Sequence, residues 1–243
     1  MRGRVHSFET LGALDGPGLR AVVFLQGCPR RCLYCQNPDT WDPRGGEAWE
    51  ADAVVARVAR CRPYFARAGG VTLSGGEPLV QPAFAAAILA GCRRLGIHTA
   101  LDTSGACPDP DVRAVLACTD LVILDLKHAD PERHRALTGG DLAPIVAFLD
   151  AVTDLGLALW VRQVIVPGWN DLEADLDALA SLLRCRARPR LQRVELLPYH
   201  TLARPKWEAL GLPYPLAETP APAPERLADL QRYLDARVGR QKV

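Results

Sequence analysis

Three cysteines crowd one short stretch, Cys28-Pro-Arg-Arg-Cys32-Leu-Tyr-Cys35. C-x3-C-x2-C spacing puts three thiolates on a single loop, a soft donor set suited to iron–sulfur chemistry. A cubane cluster takes four cysteines, one per iron, so three leave one iron with an open position. An open position is what a catalytic metal needs and a structural one does not. Zinc also favours clustered thiolates, but its sites draw a fourth ligand from a second C-x2-C or H-x3-H. Here residue 36 is Gln36, and His6, His98, His128, His134 and His200 are scattered. Cys61, Cys92, Cys107, Cys118 and Cys185 read as isolated small hydrophobes. Eight cysteines in 243 residues with 49% hydrophobic composition do not describe a small stapled secreted domain.

Other residues able to do chemistry stand where apolar runs stop. Ser74-Gly75-Gly76-Glu77-Pro78 ends one run. Its two glycines either bring backbone close to a ligand or merely make a tight turn. Asp102-Thr103-Ser104-Gly105 and Asp125-Leu126-Lys127-His128 end two more. A carboxylate in an apolar strand is costly unless paired or bound to a cation. Asp102 and Asp125 can share one cation or one ligand ammonium, and Lys127 is placed to face a carboxylate. A surface salt-bridge set is the competing reading; repetition at consecutive strand ends favours a site. Arg162 can take a carboxylate or a ribose hydroxyl, and His200, after Leu196-Leu197-Pro198-Tyr199, can reach a ribose. Asp15-Gly16-Pro17-Gly18-Leu19-Arg20, as bare chemistry, is a turn.

The elements that must position these residues follow from periodicity. Strands are predicted at 21–25, 70–74, 98–102, 121–126, 157–166 and 193–198. Helices are predicted at 51–60, 82–95, 109–118, 143–155, 172–184 and 224–237, with Gly96, Gly156 and Gly168 as stops and turns. Alternating β and α units make a parallel sheet with right-handed crossovers. Six units are too few for an eight-stranded barrel, so the expected fold is α/β, an open partial (β/α)6 barrel in one domain over 1–243. Residues 36–46 read as a loop and 215–224 as an extended linker.

Composition narrows the partners. Net charge is +1 and no dense basic run occurs, which speaks against nucleic acid and an anionic membrane. The amino terminus lacks a signal-peptide core and no stretch has membrane-spanning length. The expected compartment is the cytoplasm, where thiols stay reduced.

In chain order, the cysteine loop with Tyr34, the SGGE segment and the DLK strand end resemble the radical S-adenosylmethionine (SAM) enzymes. With His6-Ser7-Phe8-Glu9, DGPGLR, Asp39-Thr40-Trp41-Asp42, GIHTALDTSG, TDLVILDLK, VPGW and ELLPYH added, the whole chain is similar to the pyruvate formate-lyase activating enzymes. The resemblance implies a [4Fe-4S] cluster on Cys28, Cys32 and Cys35, with SAM chelating the open iron. It implies reductive cleavage of SAM and abstraction of a glycine Cα hydrogen, by the 5′-deoxyadenosyl radical, from a glycyl radical enzyme. SAM contacts carry over to Tyr34, Cys35, Gln36, Gly76, Asp125, Leu126, Lys127 and His200, with Arg162 at the same rim. Asp102, Thr103 and Asp125 match a monovalent-cation site, and Asp15 would face the glycine-bearing peptide. A flavodoxin- or ferredoxin-type protein is the implied electron donor. Gln36 departs from the histidine usual in that family. An activase of anaerobic ribonucleotide reductase is the alternative, and a non-catalytic iron–sulfur carrier is the alternative of another class. A glycerol-dehydratase-type activase is disfavoured, because only Cys61 lies between Cys35 and Gly75.

Overall fold

The computed structural model describes residues 1–107 and 111–239. In chain order it comprises β1 (Arg2–Gly12), β2 (Arg20–Leu25), β3 (Glu47–Glu50), α1 (Ala51–Ala59), β4 (Gly70–Gly75), α2 (Pro82–Arg94), β5 (His98–Thr103), α3 (Val112–Ala117) and β6 (Leu121–Asp125). There follow α4 (Pro131–Thr138), α5 (Ala143–Asp154), β7 (Ala158–Ile165), α6 (Glu173–Arg186), β8 (Leu191–Pro198), α7 (Arg204–Ala209) and α8 (Pro224–Val238). The strands form one sheet in the order β3-β1-β2-β4-β5-β6-β7-β8, open at both ends.

The six predicted strands are the six that run parallel, from β2 to β8. Two strands escaped prediction: β1 pairs antiparallel with both β2 and β3 at the sheet's edge. Both alternate weakly and bury little, so no apolar run marks them. Two helices were missed as well. Polar α4 is declared only by its ends, an Asp130 side chain accepting from the Arg133 N–H and a left-handed Gly139. The six-residue α7 is too short to express a period. The first two residues of the helix predicted at 109–118 lie outside the described residues. No single described helix is long and apolar enough to cross a membrane.

Register sorts the strand residues onto two faces. Ala21, Val23, Leu25, Val71, Leu73, Leu101, Val122 and Leu124 join the main core beneath the helices. Pairing of Val22 with Thr72, Phe24 with Ser74 and Thr72 with Ala100 defines the concave face. Asp102 with Ile123, Asp125 with Arg162 and Arg162 with Glu195 extend it. Its lower part is a small apolar cluster of Ala100, Leu121 and Ile123, packed by Ala158 and Trp160. Its upper part is polar, ending in Ser74, Asp102, Asp125 and Arg162. A parallel sheet covered by helices has no reason to carry such a set for packing alone.

Candidate active site

Carboxyl ends of parallel strands are where loops gather over the concave face. There the structure has a cavity of ≈ 200 Å³ lined by Cys28, Cys32, Cys35, Gly76, Asp102 and Lys127, among others. Tyr34, Gln36, Thr103, Asp125 and His200 also reach it. Eleven positions predicted from four separate strand ends and one loop therefore share one wall.

The cysteine loop is pinned at each end. Gly27 N–H donates to the Thr40 carbonyl (2.7 Å), while Arg31 and Leu33 N–H donate to Thr138 (2.9 Å) and Leu137 (3.0 Å) at the end of α4. Trp207 Nε1 on α7 donates to the Cys35 carbonyl at 3.0 Å. Burial, aided by the Glu77 charge, pushes the Cys28 thiol up to about 12. Burial pushes Cys32 to about 11, against the opposing pull of Lys127. Burial raises Cys35 as well, opposed by the Asn37 N–H and the Trp41 indole N–H beside its sulfur. Without a cation these thiols stay protonated at neutral pH; metal binding must supply the charge that ionises them.

Charge around the cavity is mixed. Asp102 accepts from the Ser74 hydroxyl at 2.8 Å. Burial, then repulsion from Asp125, raises its carboxyl to about 7. Lys127 Nζ lies 2.5 Å from the Asp125 carboxylate and 5.7 Å from the centre of the Tyr34 ring. Burial opposes the ammonium's charge, but Asp125 outweighs it and holds the lysine protonated well above its usual range. Instead of awaiting a ligand carboxylate alone, Lys127 already has one from its own strand end. Its carbonyl accepts from Gln163 Nε2 (3.1 Å) and Asn170 Nδ2 (3.3 Å).

The amide of Gln36 donates to the carbonyls of Tyr34 (3.2 Å) and His200 (3.1 Å), so it clasps the cysteine loop to the end of β8. Glutamine there needs no imidazole chemistry to do this.

Three further predicted residues do not line this cavity. Leu126 is fully buried and donates its N–H to the Arg162 carbonyl (2.9 Å); it packs and does not line the cavity. Arg162 is directed to the Leu14 carbonyl and lies 3.8 Å from Glu195. Asp15 is half-buried in the loop joining β1 to β2. Its carbonyl accepts from Thr72 Oγ1 at 2.7 Å, and burial raises its carboxyl against Arg162 and Arg20. Arg20 anchors that loop from a fully buried position, with Nη1 on Pro17 (3.1 Å) and Nη2 on Val71 (2.6 Å). DGPGLR is thus more than a turn.

Sequence reasoning missed Glu77. Fully buried, its carboxylate accepts from Leu79 N–H (3.1 Å), Thr103 Oγ1 (2.5 Å), Ser104 N–H (2.9 Å) and Ser104 Oγ (2.6 Å). It locks the end of β4 to the end of β5. Ser74, Arg30 and Ser104 also line the cavity unpredicted. Strand parity would have found Ser74, which stands on the same face as Asp102.

Do these residues fit an iron–sulfur cluster? Among the described residues no three His, Cys, Asp or Glu side chains converge as a single ion requires. Yet the three thiols share one cavity wall, the arrangement for a body larger than an ion. A Cβ at residue 76 would stand 2.3 Å from the Gly27 carbonyl oxygen, so only glycine lets the β4 end close on the loop. Three soft thiolates, no fourth, and a cavity beside them fit a cluster with one free iron.

Comparison with known proteins agrees with this geometry. The Radical SAM superfamily profile matches residues 22–181. The chain is 44% identical over 233 residues to the pyruvate formate-lyase-activating enzyme of Clostridium pasteurianum, covering 96% of this chain and 97% of that one. It is 40% identical over 244 residues to the Staphylococcus aureus enzyme of that name, covering 97% and 96%. Among solved structures, a domain of the pyruvate-formate lyase-activating enzyme from Bacteroides vulgatus matches with TM-score 0.57 and 27% identity over 70% of this chain and 94% of that one. Streptococcus suis SuiB, bound to precursor peptide SuiA, shares the fold at TM-score 0.70 and 16% identity over 93% of this chain and 47% of that one. The chain belongs to the radical SAM superfamily. Membership carries with it a [4Fe-4S] cluster and SAM as the cofactors.

Proposed function

We propose that this chain activates a glycyl radical enzyme, with pyruvate formate-lyase as its protein substrate. The observation that carries this is the gathering of the three-cysteine loop, Gly76 and the Asp125–Lys127 pair on one cavity, in a chain 44% identical to a pyruvate formate-lyase-activating enzyme. Bound there, the cluster and SAM supply hydrogen-atom abstraction driven by one-electron cleavage of the sulfonium.

The protein's part is positioning and exclusion of water. In this reading Cys28, Cys32 and Cys35 hold three irons as thiolates. Tyr34, Gln36, Gly76, Asp125, Lys127 and His200 surround SAM. Lys127 balances a carboxylate and Asp125 an ammonium, so a zwitterion meets both of its charges. Leu126 and Arg162 act from behind the wall. Asp102 and Asp125 are the side chains for a monovalent cation, which would relieve their repulsion. Thr103 would add only its carbonyl, since its hydroxyl donates to Glu77 and accepts from Gly105. Asp15 turns toward the glycine-bearing peptide. The electron donor is a flavodoxin- or ferredoxin-type protein, the compartment the cytoplasm, and 1–243 one domain.

The test uses anaerobically reconstituted, reduced protein, SAM, and a peptide copying the partner's glycine loop with α-deuterated glycine. Deuterium is expected in 5′-deoxyadenosine. Deuterium retained in the peptide while a ribonucleotide reductase loop donates its own would reassign the partner. A Cys32→Ala variant that keeps four irons per chain would overturn the site.

A further inference from the structure

One buried donor beside the cysteine loop is unexplained by that reading. Trp41 Nε1 is buried with no hydrogen-bond partner; Trp41 and Cys35 pack against the same small aromatic cluster, and the indole N–H is among the groups that act on the Cys35 thiol. A buried N–H left unpaired costs about 1–3 kcal/mol, so such donors have partners as a rule.

The surroundings hold this indole in place. Its carbonyl accepts from Cys28 N–H (3.4 Å) and its own N–H donates to Pro38 (3.2 Å), which ties residue 41 to both ends of the loop. Its ring meets Trp207 edge to face at 5.0 Å and 86°, and Trp207 meets Tyr214 at 5.4 Å and 68°. The Arg31 guanidinium covers the ring at 4.7 Å. Lys206, next to Trp207, bonds Asn37 Oδ1 (2.9 Å) and Asp39 Oδ1 (3.3 Å). Four independent contacts therefore fix where the N–H points. A thiolate carrying cluster charge is a stronger acceptor than the thiol there now, and hydrogen bonds to cluster sulfurs set reduction potentials.

We propose that Trp41 is a positioning residue whose indole N–H hydrogen-bonds to the Cys35 sulfur in the loaded protein and raises the reduction potential of the cluster. The donor stabilises the reduced state, in which the sulfur bears more negative charge. The inference rests on the proposed function, because it takes Cys35 as a cluster ligand.

The reconstituted holoprotein is titrated with a reductant and followed by electron paramagnetic resonance. Trp41→Phe keeps the ring stack and loses the N–H; it should lower the potential by the equivalent of a tenfold change in the redox equilibrium, about 59 mV for one electron. Tyr214→Phe, two rings away, should keep the wild-type value. Nitrogen-15 indole labelling of the wild-type holoprotein should give a hyperfine coupling to the reduced cluster, a readout that does not depend on Trp41→Phe folding well. Equal potentials in wild type and Trp41→Phe, an equal fall in Tyr214→Phe, or no nitrogen-15 coupling would each overturn the proposal while leaving the cluster assignment intact. Absence of any cluster in wild type would overturn both.

Discussion

At the scale of single residues, the cavity is organised by carboxylates in opposite circumstances. Glu77 is buried but surrounded by donors from β5 and from its own turn, whereas Asp102 has one hydroxyl donor and faces Asp125. Asp102 is consequently raised to about 7 by burial and by its neighbour. A carboxyl whose folded value exceeds its unfolded value binds more protons in the native state between the two. Stability then falls as pH rises from the ordinary carboxylate range through about 7. Thermal melts of apoprotein should show this loss, and Asp102→Asn should flatten it; identical slopes in the two proteins would contradict the assignment. The three cysteines, Asp102, Asp125 and Lys127 were legible in sequence because residue type and strand-end position are local facts. The role of Glu77 was not, because its partners Thr103 and Ser104 are 26 and 27 residues away. The contact of Arg162 was hidden for a similar reason. Its guanidinium is engaged by Leu14, 148 residues distant, which no local pattern announces.

At the scale of elements, the site depends on how closely β4 approaches the cysteine loop. Gly75 has φ +116°, and Cβ atoms at Gly75 and Gly76 would stand 2.4 Å from Leu25 N and 2.3 Å from the Gly27 carbonyl oxygen. Backbone cannot yield there as a flexible side chain could. Gly76→Ala should displace the loop and lower iron bound after reconstitution several-fold. Gly168→Ala is the control: its φ of +80° costs about 1 kcal/mol of strain, but nothing lies within 4 Å and iron content should hold. Iron retention in Gly76→Ala equal to the control would sink this account. The parallel strands were readable because burial on both faces makes them continuous apolar runs. Edge strands β1 and β3 and polar helix α4 stayed hidden, since each takes its stability from neighbours and not from a pattern of its own.

At the scale of the whole molecule, the sheet ends in β3 on one side and β8 on the other, with no strand pairing across the gap. The cysteine loop and the carboxyl-terminal third are fastened by side chains from both: Gln36 meets the His200 carbonyl, Trp207 the Cys35 carbonyl, and Lys206 the Asn37 and Asp39 side chains. These contacts join residues 164 to 172 apart in sequence. The contacts of longest sequence separation carry the largest loop-closure cost and reward it last. The βα units between β2 and β6 hold together by local pairing over the main core, whereas the seam depends on these polar bonds and a small aromatic cluster of its own, with Tyr34, Trp41, Tyr199, Trp207 and Tyr214. The seam should accordingly be a cooperative unit of low local stability. Native-state amide hydrogen exchange should find residues 35–37 and 199–207 opening together, at a free energy below that of β4, β5 and β6. Exchange of both segments only by global unfolding would refute it. A protein that builds its rigid half first and fastens its reactive loop last remains open, for that interval, to whatever must be installed behind the seam.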